Sequence, residues 1–303
     1  MQIIQRSLTA LALVLAVVLG TPHHARAQGA GTVTLTHVHG LAYSADGKTL
    51  MVPSHHGLAL YREGKWVKAP GPQHDYMGFA ATKTYLYSSG HPARGSGLKN
   101  PFGLIRSRDG GATWDKLSLE GESDFHVLAT GWNTNAVYVW NPEPNSRMPR
   151  SGVYYTLNNG FQWKHVAGSG LSGTVRGLAV HPTDAKTVAA ATSGGVYLSR
   201  DWGESFRAVA PRVEGLALFF DLDGRHLWYS SFGGGPRLMR MELQRGSGDA
   251  VALPPLTRDA VSYVAQNPAD PKEYAIATFE RSIFLSRDAG RIWVQIAHHG
   301  QGK

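Results

Sequence analysis

Apolar residues along this chain come in short bursts and do not recur at helical spacing. Leu50-Met51-Val52, Tyr85-Leu86-Tyr87 and Val137-Tyr138-Val139-Trp140 are typical, each closed by Gly, Asp, Asn, Ser or Pro nearby. Brief apolar runs between turn-forming residues read as β-strands. The bursts fall into a unit that repeats roughly every 45 residues, a period of the kind that marks a repeat architecture. Each unit starts with an inner strand: His39-Gly40-Leu41-Ala42, Met77-Gly78-Phe79-Ala80, His126-Val127-Leu128-Ala129, Arg176-Gly177-Leu178-Ala179, Glu214-Gly215-Leu216-Ala217 and Ser262-Tyr263-Val264-Ala265. A polar turn follows, as in Ser44-Ala45-Asp46-Gly47-Lys48, then an apolar second strand, a Gly-rich turn, a third strand, a turn closed by an aromatic residue, and a short fourth strand. Six such units predict an all-β fold, a six-bladed β-propeller with four-stranded antiparallel blades. A seventh blade would need more chain than is present.

The closing turns are the most regular feature. Ser107-Arg108-Asp109-Gly110-Gly111-Ala112-Thr113-Trp114 fits S/T-x-D-x-G-x-T-W, and Ser286 to Trp293 is a second copy. Ser199 to Phe206 is a third with Phe for Trp, Thr156 to Trp163 a fourth with Asn158 for Asp, and Tyr61 to Trp66 a shortened relic. The closing aromatics stand at 66, 114, 163, 206 and 293, and the double gap before Trp293 puts a decayed turn near Arg240 to Gly248. The pattern resembles the BNR/Asp-box repeat propellers, which include sialidases, sortilin-type domains and photosystem assembly factors. That resemblance implies a hairpin between third and fourth strands, far from the active face. The residues agree with it: Asp bonds its own turn, Gly takes positive φ, and the aromatic wedges between sheets. Asp109, Trp114, Asn158, Trp163, Asp201, Phe206, Asp288 and Trp293 are therefore read as structural.

Residues 1–27 read as a secretory signal peptide: Arg6, an apolar run from Leu8 to Gly20, and an Ala25-Arg26-Ala27 cleavage site. Cleavage after Ala27 would leave 28–303 as a single propeller domain, periplasmic or secreted, with no membrane segment. The chain has no cysteine, which excludes disulfides, thiolate metal ligands and a lipidated N-terminal Cys. The net charge of +8 is spread without a basic block, so nucleic acid is not an expected partner. A monomer is expected.

The repeat register brings candidate chemistry together. Each blade offers one residue at the same inner-strand position: His39, Met77, His126, Arg176, Glu214 and Ser262. Two residues earlier, at the rim, stand His37, Asp75, Asp124, Thr174, Arg212 and Ala260. Turns after the second strands add His55, His56 and His91, and His74 sits beside Asp75. Within His37-Val38-His39, read as the opening of a strand, alternation points both imidazoles the same way. His39, His126, His37, Met77, His55, His56 and His91 are thus candidate ligands of a transition metal, copper or zinc, with the Met77 thioether adding preference for Cu(I). Asp75, Asp124 and His74 are candidate partners that orient the imidazoles. A hydrogen-bonded polar mouth without metal fits the same residues.

Metal handling, or metal-dependent binding, leads among the functions, and catalysis is left open. The Asp-box resemblance implies two alternatives. One is a sialidase-like glycoside hydrolase, which would draw on Glu214, Asp124, Asp75 and Arg176, with Arg212 and Arg281 in reach of the face; the family's Arg-Ile-Pro motif is absent. The other is a non-catalytic assembly factor that docks another exported protein on the long loops 90–103 and 141–152, which carry Arg94, Lys99, Arg147, Met148 and Arg150.

Overall fold

The computed structural model describes residues 33–303, and the signal peptide expected at 1–27 lies outside them. The described residues form six antiparallel sheets and no helix. Blade one runs from the strand Ala42–Tyr43 to Lys65–Lys68, blade two from Asp75–Ala81 to Asp115–Ser118, and blade three from Leu128–Thr130 to Lys164–His165. Blade four runs from Val175–Val180 to Arg207–Pro211 and blade five from Glu214–Phe220 to Ser247–Ala250. Blade six spans Val261–Gln266 to Val294–His298 and adds a fifth strand, Gln301–Gly302, where the repeat predicts four.

That extra strand joins blade six to the segment before blade one. Leu35 N donates to the Gly300 carbonyl at 2.7 Å, Gly302 N donates to Val33 O at 3.2 Å, and Thr34 bridges Gln301. Trp66 Nε1 reaches from blade one to Ile296 O at 2.7 Å. Pairing early residues with late ones covers the outer edge of the fifth strand.

The core is divided among the seams. Each of six buried clusters lies between neighbouring blades, as in Leu50, Val52 and Trp66 against Ala275, Ile283 and Ile296, or Tyr138, Val153 and Tyr155 against Leu178, Val188 and Phe206. The periodic turns support this arrangement. Asp109 accepts from Ser107 Oγ at 2.9 Å, Thr113 N at 2.9 Å and Thr113 Oγ1 at 2.7 Å. Asp201 repeats that geometry with Ser199 and Ser205. Asn158 Oδ1 accepts from Thr156 and from Gln162 N, so the amide serves where the sequence departs from Asp. Blade five lacks the box, as its sequence predicts, and its third and fourth strands turn at 243–246. A buried polar group stands in that seam: Asp221, 1% exposed, accepts from Trp228 Nε1 at 2.6 Å, Tyr274 OH at 2.7 Å and Arg240 Nη2 at 2.7 Å.

Candidate functional site

The channel mouth is built where the inner strands begin. In blade one the ladder starts at Ala42, five residues after His37, where the sequence pattern predicts the strand to open. Pro53 explains the delay, because the second strand there has a carbonyl to offer but no N–H. One bond, His39 N to Pro53 O at 3.2 Å, anchors the free segment. His37 and His39 still come together, with ring centroids 5.2 Å apart. His55, from the turn after Leu50–Ser54, completes a triangle at 4.7 Å from His37 and 4.9 Å from His39. The three rings each offer a nitrogen, all within 4.8 Å of one another.

Asp75 faces this triangle from the first position of blade two. Its Oδ2 accepts from His55 Nδ1 at 2.8 Å. The other oxygen, Oδ1, lies 3.9 Å from His39 Nε2, too far for a hydrogen bond. Both atoms are buried and neither has a partner. A buried polar atom left unpaired costs about 1–3 kcal/mol, so two of them facing each other require an explanation. Burial, and next the neighbouring His55, pull the His39 pKa down to about 4 against the opposing pull of Asp75. His39 is therefore neutral at neutral pH, the form that binds metal.

His126 and His91 make a second group around Asp124. Asp124 Oδ2 lies 2.7 Å from His126 Nε2 and 3.1 Å from His91 Nε2. The hydrogen bond to Asp124 raises the His126 pKa. His91 Nδ1 lies 2.6 Å from Asn100 Oδ1, and His91 stands outside the triangle. His74 is turned into the blade, where Nδ1 accepts from Ala93 N at 2.9 Å and the ring sits edge-on to Phe102 at 5.0 Å. His56 is exposed and stands outside the triangle.

The six-residue ring read from the repeats is met in part. His39, His126, Arg176 and Ser262 line the channel; Met77 and Glu214 do not. The position of a β-bulge sorts blades two, four, five and six. Arg176 and Ser262 sit on the bulge itself, between Val175 and Gly177 and between Val261 and Tyr263, and are extruded into the channel. In blades two and five the bulge falls later, between Met77 and Ala80 and between Gly215 and Leu218. Met77 stays paired with Ser89 and is buried in the blade. Glu214 stays paired with Phe232 and its carboxylate meets Arg176 at 2.7 Å. A sequence signal for this exists. Second strands opposite a late bulge carry Ser-Ser, and the first hydroxyl of each satisfies backbone groups there: Ser88 Oγ bonds Met77 O at 2.8 Å, and Ser230 Oγ accepts from Ala217 N at 2.9 Å.

The long loops flank the same face. Asn145 Nδ2 donates to Ser123 Oγ at 2.8 Å and Ser146 N to Glu122 at 2.8 Å, tying the 141–152 loop down. Met148, on that loop, is fully buried. Asp221, Asp223 and His226 also have ligand-like spacing. There Arg240 already occupies the place of a cation, with Nε and Nη2 on Asp221 at 3.2 and 2.7 Å.

No family model matches the chain. No curated protein sequence matches it. Among solved structures it resembles the GH74 enzyme of Niastella koreensis, with a TM-score of 0.61 and 16% identity over 88% of this chain and 46% of that one. It also resembles the extracellular domain of the putative one component system BT4673 from B. thetaiotaomicron, at 0.57 and 11% over 88% and 35%. YCF48 bound to D1 peptide aligns at 0.51 and 16%, over 88% of this chain and 84% of its own. The chain spans less than half the length of the GH74 enzyme. Identities this low establish a shared fold, and that fold is the β-propeller.

Proposed function

We propose that the chain binds one transition-metal ion at the channel mouth through His37, His39, His55 and Asp75, and serves as an exported metal-handling or metal-dependent binding protein of the Asp-box type. The observation that carries this reading is the pair of buried, unpartnered atoms His39 Nε2 and Asp75 Oδ1, 3.9 Å apart. A cation between them satisfies both. Nitrogens around one ion at ordinary bond lengths lie about 3.3 Å apart, so the triangle closes on an ion with side-chain shifts under about 1 Å. Three imidazoles and a carboxylate form a borderline nitrogen–oxygen set that suits Zn²⁺ or Cu²⁺. The Cu(I) preference expected from Met77 falls away, because that thioether is buried outside the channel lining. When bound, the ion supplies a Lewis-acidic coordination point at the mouth. The box turns support the Asp-box assignment, and Ala25-Arg26-Ala27 supports export.

Sialidase-like hydrolysis would need Glu214 with Asp124 or Asp75 free to act on a sugar. Glu214 is paired with Arg176, and both aspartates hold imidazoles, which favours the metal reading. The test is metal analysis of protein purified without a histidine tag, loaded with Zn²⁺ or Cu²⁺ and desalted. About one ion per chain is expected, dropping on His39→Ala and Asp75→Asn. Less than about 0.2 ion per chain overturns the reading.

A further inference from the structure

From the mouth inward runs a channel of about 490 Å³, with His37 and His39 in its lining and most of its wall left unused by the metal reading. Leu41, Leu128, Leu178, Leu216, Leu218 and Val264 contribute to its wall from five of the six blades. A cavity of this size, with more apolar than polar surface in its lining, has the make-up of a small-molecule site. The charge of the lining is one-sided. No aspartate or glutamate lines the channel, while Arg176 and Arg281 do. Arg176 is already neutralised by Glu214 at 2.7 Å.

Arg281 is different. Its backbone is held at φ 62 in the turn after blade six's second strand, by bonds from Arg281 N to Thr278 O and from Gly300 N to Arg281 O. Its Nη1 donates to the Thr36 carbonyl at 3.2 Å, and it has no carboxylate partner among the described residues. The adjacent acid, Glu280, is turned to His299. A half-buried guanidinium with unspent donors, sharing a lining with this apolar wall, fits a planar carboxylate head on an apolar body.

We propose that the central channel binds a small amphipathic carboxylate, its head on Arg281 and its apolar body inside the channel. The test is calorimetric titration of the chain with decanoate, and with decanol as the uncharged control. EDTA in the buffer keeps the metal out of the measurement, so this proposal and the metal reading stand or fall separately. Saturable binding is expected, tighter for decanoate than for decanol by at least about tenfold. Arg281→Gln should bring decanoate down to the level of decanol, and Arg281→Lys should restore much of the difference. Leu216→Trp, which fills open channel space from a half-exposed position, should abolish both. If Leu216→Trp does not fold, the Gln and Lys pair at Arg281 decides alone. Absence of saturable binding, equal affinity for decanoate and decanol, or unchanged decanoate affinity in Arg281→Gln overturns the proposal.

Discussion

Two sets of aspartates in this molecule meet opposite fates. Asp109 and Asp201, in the outer turns, are exposed, yet both oxygens of each accept hydrogen bonds. Asp288 takes three donors on one oxygen. Those bonds hold their carboxyls below the usual range, Asp201 at about 2 with Ser199 the largest influence. Asp75 and Asp124, at the mouth, are half-buried, and each keeps one buried oxygen with no partner. Carboxylates that exist to hold a turn are saturated by it. A carboxylate left open where water is scarce is set up to receive something else. The same residue type, repeated around one scaffold, thus separates architecture from site by its hydrogen bonds alone.

The widest gap between the two sets should appear in metal affinity. Asp75→Asn or His39→Ala should weaken Zn²⁺ or Cu²⁺ binding by about a hundredfold or more in calorimetric titration. Asp201→Ala should leave it unchanged. Equal losses in both variants would erase the distinction.

Acid should act next, through His39. Its proton is held more weakly in the folded chain, at about 4, than in the unfolded one, at 6.5. Stability is therefore whole above pH 6.5 and falls as the pH drops from 6.5 through 4, by about 3 kcal/mol at most. Urea midpoints across that window should decline for the metal-free wild type and stay flatter for His39→Gln. The raised pKa of His126 works the other way. Its contribution is present at low pH and is lost as the pH rises through its folded value, above 6.5.

Smaller effects should mark the architectural side. Asp201→Ala should lower the melting temperature by about 2–4 °C, the scale of one lost turn cap. Glu214→Gln breaks an ion pair exposed on both sides, at 46% and 40%, and should shift it by less than about 1 °C.

The blades were legible because a repeat exposes its period, and Trp66, Trp114, Trp163, Phe206 and Trp293 mark that period directly. The gathering of His37, His39, His55 and Asp75 on one face followed from the same register. Strand phase was not legible in that way. A single-residue bulge decides whether an inner-strand side chain enters the channel, which is how Arg176 and Met77, equivalent in the repeat, part ways. Ser88-Ser89 and Ser230-Ser231 carry the hint, in hydroxyls that no strand interior needs unless backbone groups are left over. The proposal that Asp75 is a ligand as well as an orienting partner rests on geometry alone, since no spacing announces an oxygen without a donor.

The most direct test is anomalous diffraction from crystals of the metal-loaded chain, collected at the zinc or copper edge. One peak is expected at the channel mouth, within about 2.0–2.2 Å of both His39 Nε2 and Asp75 Oδ1. A loaded crystal with no peak there, or with its peak on other residues, would contradict the metal reading.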